Sequence, residues 1–226
     1  MQIFKVLSAL LSYPSADLKA ALPELDAVLA GTGELPATAR AGLQRLLEEI
    51  DRGDLYELQE RYVALFDRGR QLSLHLFEHV HGESRDRGQA MVNLIDTYRS
   101  HGLELSAREL PDYLPLFLEF LAVVPAQHAR DLLRDAMPII VLLGERLKAR
   151  GCSYAAVFDA VVALGGIPAD AASICRQVAG EGPDETIEQM DRIWEEEAVA
   201  FMGGPTGGCA AGAPVERPLR QVARPR

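Results

Sequence analysis

The chain has 226 residues, with 23 Lys plus Arg against 33 Asp plus Glu and a formal net charge of −10. Hydrophobic residues make up 48% and charged residues 25%, which is typical of a globular protein and excludes collagen-like, disulfide-scaffold and wholly disordered chains. The acidic balance argues against a general binder of nucleic acid, because phosphate backbones attract cations. We therefore expect a soluble protein whose partner is neutral or basic.

The acidic charge is concentrated in residues 1–202. Residues 203–226 hold four arginines and one acid, Glu216, so the preceding residues carry 19 bases against 32 acids, a net charge of −13. The last 24 residues are also rich in Gly and Pro, with too little apolar mass to offset the entropy lost on ordering. We predict one domain over residues 1–202, followed by a disordered tail over residues 203–226.

Cysteine spacing and hydropathy bear on the compartment. The three cysteines form no CxxC pair, which fits a reducing environment. The N-terminal sequence MQIFKVLSALLSYP has no basic residue before its apolar run, which favours a helix over a signal peptide. Elsewhere the longest apolar run, residues 137–144, is far shorter than the roughly 20 residues that span a bilayer. We expect a cytoplasmic protein with no membrane insertion.

Apolar residues recur at three- and four-residue intervals along nearly the whole chain, which predicts helices. The apolar stripes lie, in chain order, at residues 3–11, 18–29, 43–50, 55–65, 91–98, 114–121, 132–147, 157–164 and 187–194. Asp54, followed three residues later by Glu57, predicts a capped start for the fourth stripe. Strands have little support, because β-branched residues do not alternate with polar ones. We predict an all-α fold, a single compact helical-bundle-like domain of about ten helices.

One short segment is ambiguous between strand and helix. Leu72, Leu74 and Leu76 alternate with Ser73 and His75, as in a half-buried strand. Leu72 and Leu76 also stand four residues apart, as on one face of a helix. We favour the helix, because strand signals are so rare in the rest of the chain.

Residues 66–91 concentrate histidines, acids and arginines as no other part of the chain does. On a helix, His75, His79 and Glu83 would follow one another at four-residue spacing and could hold a metal. That spacing is not the HExxH spacing of zinc proteases, and Gly82 is expected to end the helix before Glu83. The alternative to a metal site is a set of hydrogen-bonded polar residues at the end of a helix. The arginines and acids of this segment could instead serve acid–base or phosphoryl chemistry, and the alternative to that interpretation is a salt-bridge network that fixes two helices. We predict no metal, no cofactor and no catalytic residue.

The segment Glu109–Pro115 places Asp112 and Tyr113 at a helix start defined by proline. It is either a plain helix cap or a binding feature that exposes peptide N–H groups and a tyrosine edge. A later acidic run, Glu195–Glu197, is either a solvated face or the lining of a groove for a basic peptide. Both features favour binding over catalysis.

The string YVALFDRGRQLSLHLFEHVHGESRDRGQAM, followed by ELPDYLPLFLEFLA, resembles the NarJ family, the molybdenum-cofactor assembly chaperones of respiratory nitrate reductase, also called its delta subunits. The resemblance extends more weakly over residues 1–202, including LLSYP and WEEE, and does not cover the tail. It implies an all-helical, non-catalytic cytoplasmic chaperone of the redox-enzyme maturation group. Such a chaperone binds the catalytic (alpha) subunit of nitrate reductase, including its N-terminal peptide, before the cofactor is inserted.

The resemblance does not say which residues touch the client. The wider maturation group has an acidic-Pro-Asp-His motif at a helix start, and here Glu109, Pro111 and Asp112 match it while Tyr113 stands in place of the histidine. We expect client contacts from residues on the surface or in a groove, namely Glu78, His79, Arg85, Asp86, Asp112 and Tyr113.

Two other functions stay open on the sequence alone. One is a small metal-dependent hydrolase built on His75, His79 and Glu83, which predicts stoichiometric metal in the purified protein. The other is a permanent structural subunit of a membrane redox complex, which predicts co-purification with the mature, cofactor-loaded enzyme.

Overall fold

The computed structural model describes residues 2–81, 84–105 and 109–182. Within these residues the chain forms ten α-helices and no strand longer than an isolated bridge, so the all-α prediction is confirmed. The helices are α1 (Gln2–Leu11), α2 (Ala16–Gly31), α3 (Ala37–Arg52), α4 (Leu55–Phe66), α5 (Leu76–His81), α6 (Arg85–Ser100), α7 (Leu114–Val123), α8 (Ala126–Ala149), α9 (Ala155–Gly165) and α10 (Ala171–Ala179). The predicted stripe at 187–194 and the tail at 203–226 lie outside the described residues.

The N-terminal segment is a core helix. Seven of the ten residues of α1 are buried, and the helix packs against α7 and α2. The longest helix, α8, packs its apolar face against α9 and α10, while α9 also contacts α3. All the described residues belong to one compact unit. None of its helices is both long and apolar enough to span a bilayer.

Local sequence signals start and stop several helices as expected. The Asp54 carboxylate accepts hydrogen bonds from the Tyr56 and Glu57 N–H groups at 2.9 and 3.4 Å, which confirms the predicted cap of α4. Ser15 caps α2 in the same way, since its hydroxyl accepts from the Leu18 N–H at 3.1 Å. At the other end of a helix, Gly166 follows α9 with φ of 89°, a left-handed conformation that favours glycine.

The helix favoured for residues 72–76 is wrong. Helix α5 begins only at Leu76, and the preceding residues lie against the segment before α7 through an antiparallel bridge between His75 and Tyr113. Leu114 N–H donates to the Leu74 carbonyl at 2.8 Å, and Leu76 N–H donates to the Asp112 carbonyl at 3.0 Å. These long-range bonds satisfy backbone groups that a local helix would otherwise have satisfied, so the segment before α5 is held by residues 112–114.

Candidate functional site

Asp112 is fully buried where the bridge brings the start of α7 against α5, with a relative exposure of 0%. Its Oδ2 accepts a hydrogen bond from the Phe77 N–H at 3.0 Å, in the first turn of α5. Its Oδ1 lies 3.2 Å from the His75 Nδ1. A carboxylate from another part of the chain therefore supplies the cap that α5 lacks in its own sequence.

Asp112 was expected on the surface or in a groove, and that position is wrong. The sequence around it suggested an exposed helix start, because an acid and a tyrosine stand between two prolines. Instead, the start of α7 is covered because residues 112–114 pair with residues 74–76, just before α5. The burial of Asp112 depends on contacts about 35 residues away in sequence, as its hydrogen bond to Phe77 shows.

The half-buried side chains of Arg87 and Glu78 form an ion pair next to Asp112. Arg87 Nη2 lies 3.2 Å from Glu78 Oε1 and 4.0 Å from Asp112 Oδ2. The guanidinium thus offsets part of the cost of burying a carboxylate. We call the set of Ser73, His75, Glu78, His79, Arg87 and Asp112 the Asp112 cluster. It is a salt-bridge network of the kind that the sequence offered as the alternative to acid–base or phosphoryl chemistry.

The surroundings of the two histidines of the cluster shift their pKa values in opposite directions. The hydrogen bond to the Asp112 carboxylate raises the pKa of His75 above its ordinary value, against the opposing effect of burial. Burial lowers the pKa of His79, and the nearby Arg146 guanidinium lowers this pKa further. The neutral His79 ring donates its Nε2–H to the Ser73 carbonyl at 2.8 Å. Each imidazole is therefore engaged in an internal hydrogen bond.

The positions of the two histidines do not support the ligand set proposed for a hydrolase. His75 precedes α5, so it does not share a helix face with His79, and the two rings bond different partners. Among the residues that the structure describes, no group of three His, Cys, Asp or Glu side chains could hold a metal ion. Glu83 lies outside the described residues.

Tyr113 connects the cluster to α1 and α4. The Tyr62 hydroxyl donates to the Leu11 carbonyl at 2.7 Å, and the two hydroxyls of Tyr62 and Tyr113 lie 3.1 Å apart. The Tyr113 ring also lies 5.5 Å from the His75 ring, centroid to centroid. Burial raises the pKa of Tyr113, so this hydroxyl stays protonated.

The structure brings together four of the six predicted site residues. Glu78, His79 and Asp112 belong to the cluster, and Tyr113 lies beside it. The remaining two, Arg85 and Asp86, are exposed in the first turn of α6. They lie next in sequence to Arg87, at the rim of the cluster.

Sequence reasoning missed a groove of about 350 Å³ between α7, the residues after α6 and the start of α1. Its walls are mainly apolar, and Leu103 and Val123 are 36% and 56% exposed. It is lined by five apolar residues, two acids, one lysine and one tyrosine, namely Leu103, Leu105, Leu116, Phe120, Val123, Glu104, Glu119, Lys5 and Tyr98. The signal that could have found it is α7 itself, LPLFLEFLAV, which is apolar nearly all round and so calls for cover on every side.

The groove and the Asp112 cluster are joined by a hydrogen bond to the residue before Asp112. Tyr98 lines the groove, and its hydroxyl donates to the Pro111 carbonyl at 2.7 Å, immediately before Asp112. The same chain segment therefore fixes one end of the groove and supplies the buried carboxylate. Apolar grooves between packed helices are common places for a ligand or a helical peptide to bind, so this groove is the candidate binding surface of the described residues.

Comparison with known proteins identifies the family to which the chain belongs. The family described as "Nitrate reductase delta subunit" matches residues 15–160. The nitrate reductase molybdenum cofactor assembly chaperone NarJ of Escherichia coli K12 is 44% identical over 196 residues, covering 87% of this chain and 83% of the relative. The chain belongs to the nitrate reductase delta subunit family.

Two further relatives bear on the extent of the resemblance. The probable chaperone NarW of Escherichia coli K12 is 40% identical over 224 residues, which cover 99% of this chain and 92% of the relative. The probable NarJ of Bacillus subtilis 168 is 32% identical over 163 residues, 71% of this chain and 86% of the relative. The alignment with NarW therefore extends into the tail at 203–226, whereas the alignment with the Escherichia coli NarJ covers 196 residues.

Proposed function

We propose that this protein is a cytoplasmic, system-specific chaperone for the catalytic (alpha) subunit of respiratory nitrate reductase. It binds the apo subunit and holds it competent for molybdenum-cofactor insertion and complex assembly, without catalysing a reaction. The observation that carries this proposal is the 44% identity, over most of both chains, to a relative named as a nitrate reductase molybdenum cofactor assembly chaperone.

The groove beside α7 supplies a surface for the N-terminal peptide of the client. The exposed Leu103 and Val123 side chains offer apolar contacts to one face of an amphipathic helix. The exposed carboxylates of Glu104 and Glu119 lie at the same groove and suit basic residues of the peptide. A peptide with basic residues followed by apolar ones matches this lining.

The Asp112 cluster has a positioning role in this proposal. Its hydrogen bonds fix the start of α7 and, through Pro111 and Tyr98, one end of the groove. The exposed Arg85 and Asp86 are client contacts outside the groove, where the surface of α6 meets the cluster. The buried Asp112 acts on the client only through the elements that it holds in place.

Calorimetric titration of the client's N-terminal peptide into the full chain tests the groove. Val123→Glu places a carboxylate in the apolar wall and should weaken binding about tenfold or more, because burial of an unpaired charge is costly. Val80→Glu is the matched control, since Val80 is 57% exposed on α5 and Val123 is 56% exposed on α7. This control should bind as the wild type does.

The outcomes distinguish a failure of the proposed function from a failure of the groove as the peptide site. If the wild type binds neither the peptide nor the apo subunit, the proposed function is contradicted. If the wild type binds and both variants bind equally well, the function stands and the groove is not the peptide site.

A further inference from the structure

Two histidines from different helices lie with their rings in contact. His101 directly follows the last residue of α6, and His128 is the third residue of α8. Their ring centroids are 4.7 Å apart, and the ring planes meet at 72°. Both side chains are half-buried, so solvent reaches the pair. In the part of the chain that the structure describes, the other histidine rings contact tyrosine or phenylalanine rather than a second histidine.

The hydrogen bonds of His101 leave one of its ring nitrogens available as a ligand. Its Nδ1 lies 2.9 Å from the Thr97 carbonyl oxygen, which can only accept, so Nδ1 carries the proton. The Ser100 hydroxyl, 3.1 Å from the same nitrogen, donates its own proton to the Thr97 carbonyl at 2.7 Å and therefore also accepts from the ring. The lone pair of the neutral imidazole is then on Nε2. Histidine ligands of metal ions are commonly fixed by such a bond from the second ring nitrogen to a carbonyl.

His128 supplies a second imidazole at the distance that a shared ion requires. No hydrogen bond engages the His128 ring within the described residues, where its ring contact is with His101. Two imidazoles at neighbouring positions of one ion, with metal–nitrogen distances of about 2.0–2.1 Å, have ring centroids about 4.5–5.5 Å apart. The observed separation of 4.7 Å lies within this range. The end of α6 and the start of α8 are thus already close enough for both rings to bind one ion.

We propose that His101 and His128 together bind one divalent transition-metal ion. Imidazole pairs suit Cu²⁺, Ni²⁺ and Zn²⁺, and Cu²⁺ should bind most tightly of the three. Water completes the coordination, because no group of three His, Cys, Asp or Glu side chains among the described residues could hold a metal ion. The sequence expectation of no metal was tested only against His75, His79 and Glu83. The new site involves other residues and does not depend on the proposed function.

The position of this two-histidine site gives the ion a structural consequence. The His101 ring also packs against the buried Phe120 ring, with centroids 5.4 Å apart, and Phe120 lines the groove. An ion bound by His101 and His128 joins α6 to α8 beside this phenylalanine. Metal binding therefore braces one wall of the groove.

Titration of Cu²⁺ into the full chain tests the site, with calorimetry for the affinity and electron paramagnetic resonance for the ligands. The wild type should bind one ion per chain, and the spectrum should show the splitting of two imidazole nitrogens. His101→Ala and His128→Ala should each weaken binding about tenfold or more and leave one nitrogen. The double variant should lose less binding free energy than the sum of the two single losses, because both side chains hold the same ion.

The matched control is His81→Ala. His81 is also half-buried at the end of a helix, α5, and its ring also packs on a phenylalanine, Phe77, with centroids 5.7 Å apart. This variant should keep the affinity and the two-nitrogen spectrum of the wild type. All variants should keep the far-ultraviolet circular dichroism of the wild type.

Three results would overturn the proposal. The first is a wild-type spectrum with one imidazole nitrogen or none. The second is a loss of affinity in His81→Ala equal to that in His101→Ala, which would place the ion elsewhere. The third is one ion bound per two chains, which would assign the two nitrogens to different copies.

Discussion

His75 Nδ1 lies 3.2 Å from Oδ1 of Asp112, a carboxylate with no exposed surface. The pair joins the residue before α5 to the segment before α7, and the other carboxylate oxygen caps α5. One side chain thus holds two helix starts together. Removal of this side chain should cost more than removal of any exposed acid.

Asp112→Ala should lower the free energy of unfolding by about 3–5 kcal/mol, because it leaves the part-buried Phe77 N–H without its acceptor and the His75 ring without its carboxylate partner. Urea unfolding measures this change. Asp26→Ala, an exposed acid inside α2, should change stability by less than about 1 kcal/mol. Equal effects of the two variants would contradict the structural role of Asp112.

The pH dependence of stability should show the sign of the His75–Asp112 interaction. The hydrogen bond to Asp112 raises the folded-state pKa of His75 above 6.5, so folding favours the protonated ring. The stabilisation is complete below the unfolded-state pKa and is lost as the pH rises through the raised pKa. The stability difference between the wild type and His75→Gln should therefore shrink as the pH rises from below the ordinary histidine pKa of 6.5 through the raised pKa. A difference that grows with pH would contradict this.

The lowered pKa of His79 contributes to stability with the opposite sign. Folding favours the neutral His79 ring, so its contribution is present above the unfolded-state pKa and is lost as the pH falls. Both histidines act in the wild type, which is why the comparison with His75→Gln is needed to isolate one of them.

Tyr62→Phe should destabilise the protein by about 1–2 kcal/mol, because the Leu11 carbonyl loses a buried donor and the Tyr113 hydroxyl loses a partner. Thermal or urea unfolding gives the change. Tyr56→Phe is the matched control, since Tyr56 is 81% exposed and should change stability by less than about 0.5 kcal/mol. If Tyr62→Phe changes the free energy of unfolding as little as the control does, the contacts of the Tyr62 hydroxyl do not stabilise the fold.

Two Gly→Ala variants should have opposite effects on the free energy of unfolding. A Cβ at Gly165 would lie 2.6 Å from Met137 Sδ and 2.9 Å from Leu133 Cδ2, both buried, so Gly165→Ala should destabilise by about 1–3 kcal/mol. A Cβ at Gly88 in α6 meets nothing within 4 Å, and Gly88→Ala should stabilise by roughly 0.5–1 kcal/mol. A Gly165→Ala variant as stable as the wild type would contradict the packing of α9 on α8, and a destabilising Gly88→Ala would contradict the open space at Gly88.

Local features of the fold could be predicted from the sequence because they depend on neighbouring residues. The Asp54 cap and the apolar stripe of α1 are of this kind. The state of residues 72–76 could not be predicted, since the hydrogen bonds that decide it come from residues 112–114. The same long-range pairing buries Asp112, where local sequence indicated an exposed helix start.

The site was partly predictable for the same reason. The density of charge in residues 66–91 indicated the network that Glu78 and Arg87 form. The groove could not be found in this way, because Leu103, Val123 and the start of α1 meet only after three helices have packed. The only indication of this surface in the local sequence was the strongly apolar composition of α7.

An assembly chaperone binds the immature enzyme and leaves the finished one. Affinity purification of the tagged full chain, from cells able and unable to make molybdenum cofactor, measures this preference. We expect the catalytic subunit of nitrate reductase to be enriched when the cofactor is lacking and to be released when it is supplied. Equal recovery of the mature, cofactor-loaded enzyme would contradict the account and would indicate a permanent subunit.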